Sequence, residues 1–178
     1  MPQAFEPAAS GRSKCRGCGR ALALGEVRFG ERLPNPYADG EMTLWFHPLC
    51  AAYKRPETML EALAQPGDAA PHREVLERAA QASLAKPRLP RMDGAERAKG
   101  QATCRQCRKP IPRGDWRIRL VLYDEGQFSP LGFIHLGCAK DYFETEDIVE
   151  PLLHFSPSLS DVEREELRHL WAQQAPRL

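Results

Sequence analysis

Apolar residues come in short bursts along this chain, and few bursts are long enough to make an element alone. Two runs, LGEVRFG at 24–30 and RGDWRIRL at 113–120, set polar and apolar residues in alternation and predict strands. Leu49, Ala51, Ala52 and Tyr53 follow Pro48 and predict a helix starting there, and AKDYF at 139–143 continues the same way further on. PETMLEAL at 56–63 and PHREVLERAAQASLAK at 71–86 read as helices, broken by Pro66-Gly67. In the second of these, Val75, Leu76, Ala79, Ala80 and Ser83 form a stripe expected to pack inward. SDVEREELRHLWAQQ at 160–174 opens with a capping box, Ser160 and Glu163, and carries an apolar edge of Leu167, Leu170 and Trp171. KPRLPRMDG at 86–94 reads as an exposed linker.

With 16 prolines and 13 glycines in 178 residues and a mean hydropathy of -0.51, one large apolar core is not expected. Two units of about 50–60 residues would each need a staple. No stretch approaches the length of apolar chain needed to span a membrane. The segment MPQAFEPAASGRSK lacks the apolar core of a secretory signal, which points to an intracellular, reducing setting, in cytoplasm, nucleoid or nucleus. The net charge of +1 is unevenly spread, with +7 over 97–120 and -7 over 121–178. Concentrated basic charge suits a polyanion, and it suits a solvated surface equally.

The six cysteines carry the chemistry. Cys15 and Cys18 form a CxxC pair, answered after 28 residues by His47 and Cys50 as HxxC. Cys104 and Cys107 form a second pair, answered after 27 residues by His135 and Cys138. In a reducing setting such cysteines are metal ligands, not disulfides. A CxxC turn offers two thiolates on one edge of a tetrahedron and HxxC closes the other, so two Zn²⁺ ions per chain are expected. Sites with four protein ligands are structural. Each contributes about 10–16 kcal/mol of apparent binding energy to folding, which is the missing staple. His72, His154 and His169 have no cysteine nearby and read as surface residues. Arg16, Arg20, Arg105, Arg108 and Lys109 crowd the CxxC turns; they either balance thiolate charge or serve a ligand.

The two units form an internal repeat. Basic and small residues lead into each CxxC, and an arginine follows ten residues after it, Arg28 in one unit and Arg117 in the other. With Ser10-Gly11-Arg12 before the first pair and Trp45-Phe46-His47 closing the site, the repeat resembles the PARP-type zinc finger. That is the DNA-break-sensing finger of poly(ADP-ribose) polymerases and of one type of eukaryotic DNA ligase. The resemblance covers about 10–55 and 97–143. The second unit departs from the pattern, with Gln101 in the place of Arg12 and Phe133-Ile134 in place of the Trp-aromatic pair.

The resemblance implies recognition of a duplex end, with basic residues on the phosphate backbone and loop residues stacked on the terminal base pair. It implies backbone contacts for Arg12 and Arg28 in the first unit and Arg117 in the second, with Lys99 compensating for Gln101. In the first unit its stacking positions fall on Ala38 and Met42, with either Tyr37 or Met42 standing in for the small alanine. In the second, Phe128, Pro130 and Leu131 are the candidates; Tyr37, Met42 and Phe128 could equally be core residues.

The expected fold class is α+β: two small zinc-stapled finger domains with short antiparallel strands and flanking helices. The expected division is a disordered N-terminus at 1–9, a first finger with C-terminal helices at 10–85, a linker at 86–96, and a second finger with a helical extension at 97–178. No nucleophile-base pair, phosphate-cradling glycine loop or open metal position is visible, so no catalysis is expected. The expected function is sequence-independent binding of DNA strand breaks. A zinc-scaffold adaptor, with the acidic C-terminal helix contacting a protein partner, and an RNA-binding protein are the alternatives.

Overall fold

The computed structural model describes residues 3–67 and 70–174. It has the expected α+β class, with short antiparallel sheets, six α-helices and a Cys₃His cluster in each of two compact units. The first unit comprises Met1–Ala85 with Asp124–Phe128, and the second Lys86–Tyr123 with Ser129–Leu178.

In the first unit, strands β1 (Gln3–Pro7), β2 (Val27–Pro34) and β3 (Glu41–Phe46) form an antiparallel sheet in that order. Helices α1 (Pro48–Lys54), α2 (Pro56–Leu63) and α3 (Arg73–Leu84) follow. Proline occupies the first turn of both α1 and α2, where its missing N–H costs nothing. Side chains alternate across a strand, so β2 has two distinct faces. Phe29 lies opposite Phe46 in the register, and with Leu22, Leu44 and Met59 it belongs to the fully buried core. Glu31 is buried too, held by a bidentate ion pair with Arg55 at the α1–α2 junction. The neighbouring positions Arg28 and Gly30 carry Trp45. A Cβ on Gly30 would sit 2.6 Å from the indole, so glycine is what lets the ring lie flat there. In α3, Leu76, Ala79, Ala80 and Ser83 are buried as expected, but Val75 points to solvent.

In the second unit, β4 (Arg91–Arg97), β7 (Trp116–Asp124) and β8 (Gln127–His135) form an antiparallel sheet, and β5 (Ala102–Thr103) pairs with β6 (Pro110–Ile111). A 3₁₀ turn at Leu136–Cys138 leads into α4 (Ala139–Phe143), then α5 (Val149–His154) and α6 (Asp161–Ala172). Ile111, Ile118, Leu120, Ile134, Tyr142, Ile148 and Leu152 make its core. Helix α6 opens on the expected capping box and docks within this unit. Leu167 is buried, Leu170 and Trp171 pack beside it, and Glu166 pairs with Arg97 and accepts from the Trp116 indole.

Two sequence expectations are corrected. Within the N-terminus expected to be disordered at 1–9, Gln3–Pro7 form β1, with Phe5 against Phe29 at 5.2 Å and Glu6 bonded to Arg28. The linker expected at 86–96 contains most of β4, in which Met92, Gly94 and Ala95 are buried. Both strands are short edge strands that gain order from a partner distant in sequence. In β4 the Asp-Gly pair, which resembles a turn signal, sits at a register shift between Met92 and Ala95. A Cβ on Gly94 would collide with the Phe155 carbonyl oxygen, so this glycine serves close approach. Among the described residues, no helix is long and apolar enough to cross a membrane.

Candidate metal centres and a basic groove

Each CxxC sits in a tight turn between short paired segments. In the first unit Lys14 bridges Ala21, the Cys15 N–H donates to the Arg20 carbonyl, and the Gly19 N–H donates back to Cys15. In the second, the Cys104 N–H donates to Lys109 and the Arg108 N–H to Cys104. Gly19 and Arg108 hold the same left-handed position, at φ 77° and 66°. Strands β3 and β8 then deliver His47 and His135, and the next turn delivers Cys50 and Cys138.

The four ligand atoms of Cys15, Cys18, His47 and Cys50 all lie within 4.8 Å of one another, as do those of Cys104, Cys107, His135 and Cys138. His47 Nδ1 is 3.4 Å from the Cys18 sulfur and 3.8 Å from that of Cys50. His135 Nδ1 is 3.3 Å from the Cys107 sulfur and 3.7 Å from that of Cys138. Zinc bonds of about 2.0–2.3 Å in a tetrahedron give ligand separations of this order. All six cysteines are free thiols.

The electrostatics also call for a cation. Burial and the Cys104 thiolate push the Cys138 thiol up to about 12. Burial also raises Cys104, but backbone N–H groups of Cys107, His135 and Gln106 outweigh it and bring that thiol down to about 6. In the first cluster, hydrogen bonding to Cys15 and Cys18 raises His47 to about 10. The same two partners drive Cys50 far up, while hydrogen bonding to Cys15 and then Cys50 drives Cys18 far down. Three thiolates cannot share such a volume without a positive ion, and a dication at their centre relieves the conflict. Part of the surrounding positive charge comes from Lys54, which is buried and donates to the Gly17 carbonyl at 2.7 Å.

The structure departs from expectation at the two repeat arginines. Arg28 and Arg117 are only 6% and 7% exposed, so neither projects toward solvent. Arg28 donates to Glu6 at 3.0 Å and to Ser13 at 3.1 Å, with its guanidinium 3.5 Å over the Trp45 ring. Arg117 donates to Glu96 at 2.8 Å and lies 3.7 Å over Phe133. In both, Nε is buried with no hydrogen-bond partner among the described residues. A guanidinium offered a carboxylate and an aromatic face one strand away satisfies both before it reaches for solvent. Sequence reasoning misses Glu6 and Glu96, although both stand at nearly the same distance ahead of their CxxC pairs and are followed two residues later by alanine.

Beside Trp45 runs an open groove of about 500 Å³, lined by Ser13, Lys14, Arg16 and Thr43 together with Cys15 and Gly19. Lys14 and Arg16 are exposed, as are Arg12 and Lys99. Tyr37 is 71% exposed, Met42 is half-buried and Leu131 is 38% exposed. Phe128, expected in the second finger, belongs to the first unit, half-buried with its ring edge-on to Phe46 at 6.1 Å. It is packed more than presented.

No family model matches the chain. It is 42% identical over 50 residues to Poly [ADP-ribose] polymerase 1 of Caenorhabditis elegans, a match covering 28% of this chain and 5% of that protein. It is 27% identical over 197 residues to Polynucleotide 3'-phosphatase ZDP of Arabidopsis thaliana, covering 96% of this chain and 28% of that protein. The chain thus spans a small part of each relative. The second match corrects the expectation of a protein outside catalysis: the relative aligned with nearly the whole chain is an enzyme, and it points to an enzyme family.

Proposed function

We propose that the chain binds DNA at strand breaks, without sequence preference, through two zinc-stapled units, and that this binding belongs to the enzymology of DNA ends. The groove of the first unit is the observation that carries this reading. Lys14 and Arg16 line it, and Arg28 is locked on Trp45 at its side. One relative is by name a phosphatase of polynucleotide 3' ends, and the other belongs to the polymerases whose fingers the repeat resembles.

Two Zn²⁺ ions, held by Cys15, Cys18, His47 and Cys50 and by Cys104, Cys107, His135 and Cys138, supply structural cross-links. Arg12, Lys14 and Arg16 meet phosphate in the first unit, with Arg28 fixing the indole that walls the groove. Lys99 and Arg117 take the corresponding places in the second. Phosphates exist on every duplex, so preference for a break needs groups that gain only where the base stack is interrupted. Tyr37 and Met42 are those groups in the first unit, and Leu131 is the group in the second.

Binding to nicked, blunt, overhanging and covalently closed duplexes, measured side by side at one salt concentration, tests this. Ends and nicks should bind more tightly than closed circles. Replacing Tyr37 and Met42 together by Ser should cost about 1–3 kcal/mol at an end and leave the closed circle unchanged. Equal losses on both substrates would make the loop structural and the protein a general DNA binder. No binding to any duplex would favour the adaptor reading.

A further inference from the structure

The two metal-binding histidines are held from behind by different kinds of group. Both rings turn Nδ1 toward the thiols, so a neutral ring carries its one N–H on Nε2. In the second unit that N–H faces the Pro110 carbonyl oxygen at 2.9 Å, a backbone group fixed in the β5–β6 pair. In the first unit His47 Nε2 lies 3.2 Å from a Glu26 carboxylate oxygen. Glu26 stands one residue before β2, in a tight turn in which its own N–H donates to Ala23, and its side chain is 41% exposed. Asp115 occupies the matching position one residue before β7, but there the ring is already held by the main chain.

Resting on the reading of both clusters as zinc sites, we infer that Glu26 is the positioning residue of the first site. It fixes the orientation and tautomer of His47 and strengthens Nδ1 as a donor, so one exposed carboxylate governs metal retention in one unit of the two. The second unit takes the same hold from its backbone. A carboxylate accepts a hydrogen bond more strongly than an amide carbonyl, and it polarises the ring toward the metal. Outer partners of this kind change metal affinity by roughly 10–100-fold when removed.

The test is zinc release from the full chain into an excess of a chromogenic chelator at a single neutral pH. Wild type, Glu26→Ala, Glu26→Gln and Asp115→Ala are compared, each loaded to two equivalents. Glu26→Ala should release one of its two equivalents at least about 10-fold faster than wild type, with the other unchanged. Glu26→Gln, whose amide oxygen still accepts, should fall between, and Asp115→Ala should match wild type. Nitrogen-15 spectra of the imidazoles, with the amide spectrum as a check of folding, should show a changed Nε2–H signal for His47 and an unchanged one for His135. Wild-type release from Glu26→Ala would make Glu26 an ordinary surface acid and overturn the inference. So would equal acceleration of both equivalents, the mark of a general loss of stability. A wild-type chain unable to hold two zinc ions would instead overturn the metal reading, and this inference with it.

Discussion

Arg28 joins an ion pair, a hydroxyl contact and an aromatic ring in one side chain. Its guanidinium is planar, so it can stack on Trp45 while donating in plane to Glu6 and Ser13. Lysine offers a point charge with no such plane. Because Arg28 is buried and Lys14 and Arg16 are exposed on the groove, their substitutions should behave differently. Lys14→Ala or Arg16→Ala should flatten the salt dependence of duplex binding by roughly 0.9 in log–log slope for each phosphate no longer neutralised. Arg28→Lys should lower affinity by releasing the indole and leave the slope almost unchanged. Affinity titrations between low and moderate salt separate the outcomes. A slope change for Arg28→Lys as large as that for Lys14→Ala would mean that the buried arginine reaches phosphate directly.

Among the elements, β4 presents two carboxylates to the arginines of β7. Its Glu96 accepts from Arg119 at 2.7 Å and from Arg117 at 2.8 Å, and Asp93 accepts from Arg119 at 3.4 Å. Burial alone would raise the Glu96 carboxyl, but hydrogen bonds from Arg119 and then Arg117 outweigh it and hold it below the ordinary range. A carboxyl whose value is lower folded than unfolded stabilises the fold above the unfolded value of about 4.3. That stabilisation is lost as pH falls through the folded value. Glu96→Gln, which removes the half-buried charge opposite Arg117 and Arg119, should therefore destabilise the second unit by about 3 kcal/mol at neutral pH. The gap in melting temperature between wild type and Glu96→Gln should narrow as pH falls below about 4.3 and close once the pH is below the lowered folded value. The difference between variants cancels zinc loss in acid, which affects both. A gap that stayed constant down to low pH would show that the pair contributes through packing alone.

On the scale of the whole molecule, the chain is two small units, each with its own core and its own cluster. Neither core is large, so each should depend on its own metal. Cys50→Ala should halve the zinc content and abolish the cooperative fold of the first unit. Dispersed amide signals from Ile118, Leu120 and Ile134 in the second unit should persist. Collapse of both sets of signals would show that the units fold as one.

The two Cys₃His clusters, the twofold repeat and the α+β class are legible in the sequence because they rest on spacing and local periodicity. CxxC and HxxC are short-range signals, and the capping box of α6 is local to four residues. Strands β1 and β4 are not legible, because QAFEP and RMDGAER have no strong pattern of their own. They become strands when β2 and β7 present a partner edge, with Glu6 opposite Arg28 and Glu96 opposite Arg117. The same holds for the site. A sequence shows that Arg28 recurs as Arg117 but not that each is buried beneath a carboxylate, since the glutamates lie 22 and 21 residues away. Nor does it show that Glu26 faces His47 while a main-chain carbonyl faces His135. Spacing along the chain selects which residues can ligate a metal. Which groups stand behind them depends on packing between segments distant in sequence, and only the tertiary structure decides that.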